Sequence, residues 1–475
     1  MSVPSRLPSA VTRRDLLRWA VAAGILVPAS GLVGACATGG GGDSGDSNSV
    51  GEKSSDNPFG VKGDLALDVV IFKGGYGDDY AKAHEALYNK KFADAKVSHQ
   101  GIQKIQEALQ PRFNAGNPPD VIDNSGASQI KLDLLIADGQ LAELTELFDA
   151  PSIDDPNKKV RDMLVSGTVE SGTFGGKVYA LNYGFTVWGL WYSSSLFKSK
   201  GWTVPQTWDE FLTLCAEIKN SGMAPWAHQG KYPYYMMVPI MDLVAKHGGL
   251  DLQKKIDNLE PNAWKDPAVK DAVDAIYQLV ARGYMLPGTD TLTHTESQTA
   301  WNQGKAAFIP CGTWLENEQK EQTPAGFDMV VSPMPSLNSD KMPYGAVRAG
   351  AGEPFVVPEK AKNKAGGLEF LRIMCSKEGG KVFAENTSSL SVVKDSAEGV
   401  SSTGVTSTIE VFENAGDNVI VWRYPDWYST LSTEVENATG ELMANRLDPD
   451  GWVNRCQAAA DKVAQDSSIK KFTRE

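Results

Sequence analysis

The sequence predicts an α/β protein whose folded part forms two lobes. Short apolar runs alternate with helical patterns along the chain, and this alternation is typical of largely parallel sheets covered by helices. About 415 of the 475 residues follow a Gly/Ser/Asp-rich segment that ends near position 58. A chain of that length exceeds what one hydrophobic core usually supports, so two lobes are expected.

The first strand is predicted at the apolar run 65–72, and a helical pattern begins at Asp79. The glycine-rich loop KGGYG at 73–77 joins them, but its spacing does not match the GxGxxG of a dinucleotide site. The loop is either a tight turn or a rim whose backbone N–H groups contact a ligand. Tyr76 is the candidate contact residue of this loop.

A second unit combines a predicted helix at 105–114 with a strand that follows the turn GNPPD at 116–120. Three polar residues stand at the end of this strand: Asp123, Asn124 and Ser125. Ligands of such sheets bind beyond the carboxyl ends of the strands. These three side chains are therefore candidates for a binding site.

Residues 1–35 are typical of a cleaved export signal. The letters TRRDLLR at 12–18 resemble the twin-arginine export signal, and the apolar run that follows is shorter than the ~20 residues that span a bilayer. The letters LVGAC at 32–36 resemble a bacterial lipobox, which predicts a lipid on Cys36; an ordinary signal peptide that contains a cysteine is the alternative. Residues 36–58 are rich in Gly, Ser and Asp and predict a flexible tether.

The charge of the chain excludes some classes of partner. The formal net charge is −13, and loss of residues 1–35 removes four arginines and one aspartate, a net of +3, which leaves −16. Nucleic acid requires a basic patch, and anionic lipid surfaces attract basic segments. The sequence therefore predicts no nucleic-acid partner and no direct attraction to a membrane beyond the lipid on Cys36.

The spacing of cysteines and histidines predicts neither a metal site nor a cofactor. Beyond Cys36, the cysteines at 215, 311, 375 and 456 are isolated from one another, and the five histidines show no metal-ligand spacing. We expect the cysteines to be mostly buried thiols. The sequence leaves a disulfide open.

Several motifs stand in a fixed order along the chain. They read GKVYALNYG at 176–184, GLWYSSSLF at 189–197, PQTWDEF at 205–211, GKAAFI at 304–309 and GTW at 312–314. This order, with residues 116–122 and 356–376, resembles the sugar-binding subunits of ATP-binding-cassette importers, the maltodextrin-binding type of solute-binding protein. The letters CGTWLEN at 311–317 and the aromatic-rich stretch 422–428 resemble the branch that binds N-acetylglucosamine and diacetylchitobiose.

The resemblance implies a periplasmic-binding-protein-like fold with three crossings between the lobes and a central ligand cleft. We place the crossings near Gly184, Gly350 and Leu390. Lobe one then comprises residues 59–184 and 352–390, and lobe two comprises residues 185–351 and 391–475. Small backbone changes at the crossings would close the cleft.

A pyranose has C–H faces that suit aromatic rings, and the family covers these faces with aromatics from both lobes. The candidates at matching positions are Trp314, Trp427, Trp422, and Trp226 with Tyr232. The alternative for each tryptophan is a packing role in the core, because the chain has 12 tryptophans and most must pack.

The hydroxyl rim of a sugar suits carboxylate, amide and guanidinium groups. Beside the three residues at the end of the second strand, the polar candidates are Asn182, Arg348 and Glu353. Arg348 and Glu353 are equally compatible with a salt bridge that fixes the hinge.

The resemblance implies a monomeric protein that captures a mono- or oligosaccharide, best matched by N-acetylglucosamine or chitobiose, and delivers it to the permease subunits of an importer. Such a protein would not be an enzyme and would be lipid-anchored at the outer face of the cytoplasmic membrane. The alternative is a secreted glycoside hydrolase, which needs two carboxylates about 5 to 9.5 Å apart. Glu316, Glu353 and Asp426 are the candidate carboxylates, and no GxSxG, HExxH or Walker motif is present.

Overall fold

A computed structural model describes residues 51–396, 400 and 402–474. The predicted signal peptide, Cys36 and most of the predicted tether lie outside the described residues. Within these described ranges, no helix has the length and apolar character needed to cross a membrane.

Twelve strands are present in the described part of the chain. In chain order, β1 to β12 are Leu67–Phe72, Val97–Ile102, Val121–Asp123, Thr173–Phe174, Lys177–Val178, Leu181–Ser193, Ala224–Trp226, Ala306–Gly312, Met329–Ser332, Val347–Val356, Leu390–Ser391 and Val419–Ile420.

Seventeen α-helices accompany them over the same described ranges. In chain order, α1 to α17 are Asp79–Lys91, Ile105–Asn114, Leu132–Ala137, Thr145–Asp149, Thr168–Ser171, Ser194–Lys200, Trp208–Asn220, Tyr234–Asp257, Pro267–Ala281, His294–Asn302, Leu315–Gln319, Lys364–Met374, Lys377–Thr387, Thr403–Ala415, Tyr424–Trp427, Ser429–Met443 and Pro449–Gln465.

Ten of the strands form one mixed sheet in the order β2-β1-β3-β10-β6-β8-β7, to which β9, β11 and β12 add at the sides. The outer pairs β1-β2, β1-β3 and β7-β8 are parallel. However, β10 runs antiparallel to β3 and β6, and β6 runs antiparallel to β8. The prediction of largely parallel sheets is therefore wrong at the centre, because the two long central strands pass between the parallel groups in opposite directions. We call the elements around β1 to β3 the first lobe and those around β7 to β9 the second lobe.

The predicted crossings lie within strands. Gly184 lies inside β6, Gly350 lies inside β10, and Leu390 lies in β11, which pairs with β6. These positions therefore lie in paired strands, and the assignment of the crossings stays a prediction. After β11 the chain still lies beside Gly380 of α13, and it packs against β9 of the second lobe once α14 begins at Thr403.

Local sequence signals explain where several helices begin. At the start of α7, the Thr207 hydroxyl accepts the N–H of Glu210, and the Glu210 carboxylate accepts the N–H of Thr207. This reciprocal cap satisfies two backbone donors that the first turn would leave unpaired. The side chain of Asp266 caps the start of α9, and Pro267 occupies the first helical position.

Each lobe has its own aromatic core. In the first lobe, Phe383 of α13 meets Tyr80 and Tyr183 edge-on at 5.1 and 5.2 Å. In the second lobe, Trp264 packs against Trp452 at 5.9 Å, among helices α8, α9, α16 and α17. The cysteines at 215, 311, 375 and 456 are buried and unpaired, as the sequence predicted for thiols.

Candidate ligand-binding cleft

One face of β6 and β10 forms the floor of a cleft between the lobes. Gly350 pairs with Thr186 across the two strands, so both residues lie on the same face of the sheet. Side chains alternate along a strand, and this face therefore also carries Arg348 and Trp188. A Cβ built on Gly350 meets no atom within 4 Å, so the floor is open above this glycine.

Glu353 and Tyr76 lie over the floor beside Gly184. A Cβ on Gly184 would lie 3.1 Å from Glu353 Cγ and 3.4 Å from Tyr76 Cε2. Regular alternation would turn Glu353 away from the face that carries Arg348. Its φ of 58° lies in the left-handed region, and this conformation brings the carboxyl group to the cleft.

Asp123 and Glu353 form a pair of neighbouring carboxyl groups. Asp123 accepts hydrogen bonds from the Tyr80 hydroxyl, at 2.9 Å, and from the Ser125 hydroxyl. Burial, and then the charge of Glu353, raises the pKa of Asp123 well above its ordinary value. Burial raises the pKa of Glu353 to about 7. Burial therefore favours the protonated form of both carboxyl groups.

Three hydroxyl groups lie next to this pair. The Tyr76 hydroxyl is a neighbour of the Thr186 and Thr313 hydroxyls, and burial raises the pKa of Tyr76, which keeps it a phenol. The oxygens of Tyr76 and Thr313 are buried, and neither meets hydrogen-bond geometry with any described residue. An unpaired buried hydroxyl costs about 1–3 kcal/mol, which a polyhydroxyl ligand would recover.

Four aromatic rings form a wall beside these hydroxyls. Trp188 is edge-on to Trp314, at 5.0 Å between ring centroids, and to Tyr234, at 5.7 Å. Tyr235 lies 5.7 Å from Trp188 and 6.4 Å from Trp314. The structure therefore brings the predicted Trp314 into the same site as Tyr76, whereas the other three aromatic residues were missed. The alternation from Gly184 through Thr186 would have pointed to Trp188.

The other end of the floor is charged. Asp242 and Asp426 lie near the Arg348 guanidinium, which makes no hydrogen bond or ion pair with any residue in the described ranges. Burial raises the pKa of Asp242 to about 7 against the opposing charge of Arg348, and its Oδ1 has no hydrogen-bond partner among the residues described. The alternative salt bridge between Arg348 and Glu353 is thus not formed. Arg348 remains available to a ligand.

The segment 421–428, which contains α15, borders this charged end. Trp422 and Trp427 are 4% and 7% exposed, and neither indole N–H has a partner among the described residues. Trp427 stacks on Phe472 at 5.6 Å, and the Arg423 guanidinium lies 5.3 Å from its ring centroid. Packing therefore takes up much of the Trp427 ring and leaves less of it for a sugar than the sequence predicted.

The prediction for Trp226 requires a correction. Trp226 is fully buried in the second-lobe core, where its ring meets Phe211 at 5.8 Å, because α7 packs over β7. We assign Trp226 to packing. Tyr232 lies half-buried against the His294 ring at 5.3 Å, outside the aromatic wall.

Two predicted amide side chains serve the backbone and a neighbour. Asn124 accepts the N–H of Ile130 at 2.9 Å and donates to its carbonyl oxygen at 2.8 Å, which fixes the turn after β3. Asn182 donates to the Ser171 hydroxyl at 2.9 Å. Both amides are thus engaged in local contacts.

Several contacts join the lobes. Hydrogen bonds between 2.7 and 3.2 Å long run from the Asn317 amide to the Gly75 carbonyl, from the Ser429 hydroxyl and N–H to Asp133, and from the Arg423 guanidinium to the carbonyls of Ser171 and Thr173. The lobes are therefore in direct contact in this structure.

Comparison with solved structures places the fold among two-lobed sugar-binding proteins. A chitin oligosaccharide binding protein matches with a TM-score of 0.68 and 20% identity, over 83% of this chain and 98% of that chain. RafE, solved in complex with raffinose, matches with a TM-score of 0.68 and 19% identity, over 84% of this chain and 99% of that chain.

Comparison of sequences gives the family. The diacetylchitobiose binding protein NgcE of Streptomyces coelicolor is 38% identical over 465 residues, which cover 97% of each chain. The model of the bacterial extracellular solute-binding protein family matches residues 74–381, more than half of this chain. The chain therefore belongs to the bacterial extracellular solute-binding protein family.

Proposed function

We propose that this protein captures N-acetylglucosamine or a short oligomer of it, such as diacetylchitobiose, and delivers the sugar to the permease of an ATP-binding-cassette importer. The observation that carries this proposal is the floor of the cleft, where the partly exposed Trp314, packed edge-on against Trp188, stands beside the buried hydroxyls of Tyr76 and Thr313. The C–H faces of a pyranose pack against aromatic rings, and its hydroxyl groups form hydrogen bonds with unpaired polar groups of a protein. The 38% identity to a diacetylchitobiose binding protein supports the choice of sugar.

The free energy of binding that such a protein needs requires both stacking on aromatic rings and hydrogen bonds. Two aromatic faces that each cover about 100 Å² of sugar would contribute about 5 kcal/mol at ~25 cal/mol per Å². Micromolar affinity requires about 8 kcal/mol after the cost of association. Several hydrogen bonds at about 1 kcal/mol each must supply the rest. Arg348, Asp242 and the Asp123–Glu353 pair are the groups from which we expect them.

We infer that the sugar leaves unchanged. Of the three carboxylates considered for a hydrolase, Glu316 caps α14, since it accepts the Ser402 hydroxyl at 2.6 Å and the Gly404 N–H at 3.4 Å. Calorimetric titration with N-acetylglucosamine, diacetylchitobiose, maltose and raffinose tests the proposal, together with chromatography of the sugars after long incubation. Saturable heat with the first two sugars and no hydrolysis supports capture. Steady release of monosaccharide would favour the hydrolase.

We further propose that the protein is exported by the twin-arginine route, is lipid-anchored through Cys36 and acts as a monomer without a cofactor. The sequences TRRDLLR and LVGAC support export and lipidation, and the tether would let the folded part reach a permease. Cys36→Ser should move the protein from the membrane fraction to the medium. Replacement of Arg13 and Arg14 by lysine should leave it inside the cell. Retention of Cys36→Ser in the membrane fraction would contradict the anchor.

A further inference from the structure

Residues 466–474, which follow α17, run back along the second lobe to the segment 421–428. They contact both the end of α8 and segment 421–428 with α15. Two residues make most of these contacts. Arg474 lies at the start of segment 421–428, and Phe472 lies at its end.

Arg474 completes a buried network that holds the start of segment 421–428. Its guanidinium donates to Asp257 Oδ2 at 2.8 Å and to the Val421 carbonyl at 2.6 Å. Asp257 is fully buried, and its other oxygen accepts the N–H groups of Arg423 and Tyr424, both at 2.9 Å. One carboxylate thus joins Arg474 to the first turn of α15. Removal of the arginine would leave that carboxylate buried without its cation, which is strongly unfavourable.

Phe472 holds the other end of the segment. Its N–H donates to the Tyr428 hydroxyl at 2.9 Å, and its carbonyl accepts that hydroxyl at 3.2 Å. Its ring stacks on Trp427 with an interplanar angle of 29° and meets Phe174 of the first lobe edge-on at 6.1 Å. The segment is therefore fixed at both ends by residues 466–474.

The segment fixed in this way carries groups that border the cleft. Asp426 lies near Arg348 of the floor, and Arg423 bonds to first-lobe carbonyls. We propose that Arg474 and Phe472 are positioning residues, which hold segment 421–428 in the conformation that a sugar binds. The role in affinity rests on the proposed function, whereas the ordering of the segment does not.

Hydrogen exchange and calorimetry on the full-length protein test this inference. The variants are Phe472→Ala, Arg474→Ala and Arg474→Lys, with Lys471→Ala as the matched control. The Lys471 ammonium is exposed, and among the described residues it bonds only to carbonyls of its own segment, those of Asp466 and Ile469. Exchange is followed at the amides of residues 423–428 without ligand, and the Kd for diacetylchitobiose is measured in parallel.

Both alanine variants should exchange these amides at least tenfold faster and raise the Kd about tenfold, while Lys471→Ala changes neither. Arg474→Lys keeps a cation for Asp257 and should therefore restore much of the slow exchange and much of the affinity. Unchanged exchange in both alanine variants would overturn the inference, and so would faster exchange with an unchanged Kd. If no saccharide binds the unaltered protein, the proposed function fails, and the exchange comparison alone still decides whether the segment is held.

Discussion

Glu353 shows how one backbone conformation places a functional group. Non-glycine residues with left-handed φ cost about 1–3 kcal/mol and persist where the surroundings determine them. Here the residue lies between two paired positions of β10, since Gly352 pairs with Gly184 and Pro354 with Asn182. The strand on both sides is therefore fixed, and the unusual φ turns only the Glu353 side chain into the cleft beside Asp123.

Replacement of Glu353 by glutamine should change how stability depends on pH. The pKa of Glu353 is raised from 4.5 to about 7, so the folded protein binds a proton more tightly than the unfolded chain. The free energy of unfolding of the unaltered protein should therefore fall as pH rises between these values. A shift of this size corresponds to about 3 kcal/mol at most, and solvent in the cleft reduces it. Glu353→Gln should flatten that fall in urea titrations from pH 4 to pH 8, and parallel curves for the two proteins would contradict the assignment.

Two tryptophans of similar size but different position allow a paired test of the site. Trp314→Ala removes a partly exposed ring of the aromatic wall and should weaken diacetylchitobiose binding about tenfold or more, with a small change in the free energy of unfolding. Trp226→Ala removes a fully buried ring and should cost about 3–5 kcal/mol of stability. Calorimetry and urea unfolding of both variants distinguish these outcomes. A loss of affinity with Trp226→Ala at temperatures where it stays folded, and none with Trp314→Ala, would reverse the assignment.

At the scale of helices and strands, the sequence correctly predicts the element positions that local sequence patterns determine. The helix at 105–114 and the polar end of β3 at Asp123 have the predicted positions, because glycine, proline and apolar periodicity specify them. Arg348 and Trp188 lie on the same face of the sheet because of the register between β6 and β10, which are far apart in sequence. Trp226 is buried because α7 covers β7, and one sequence does not reveal which face of a strand a helix covers.

The pairing of β6 with β10 leads to a prediction about Gly350. A side chain at this position projects from the floor into open space, so Gly350→Leu should leave the free energy of unfolding nearly unchanged. The same side chain would occupy the volume of a sugar ring and should lower affinity at least a hundredfold, or about 2.7 kcal/mol. Gly350→Ala, which adds only a methyl group at the same position, is the control and should have a smaller effect. Calorimetry gives the affinity, and undiminished binding by Gly350→Leu would place the sugar elsewhere.

At the scale of the whole molecule, the cleft lies between two lobes that are joined by few side-chain hydrogen bonds. The hydrogen bonds from Asn317 to Gly75 and from Ser429 to Asp133 join different elements of the two lobes. A ligand that binds only when both lobes reach it shifts such an equilibrium by its preference for the closed form. The apparent affinity therefore depends on how much closed protein exists before the sugar arrives.

Asn317→Ala and Asp133→Ala should each open the free protein. Each removes hydrogen bonds with a net value of about 1 kcal/mol, so the ratio of closed to open protein should fall about fivefold per substitution, and the apparent affinity should fall with the closed fraction. The two contacts share no residue, so the effects should add in the double variant. Small-angle scattering should show a larger radius of gyration without ligand and the unaltered radius at saturating diacetylchitobiose. Asp138→Ala, an exposed position just after the same helix α3, is the control. Identical scattering from the double variant and this control, without sugar, would mean that these contacts do not govern closure.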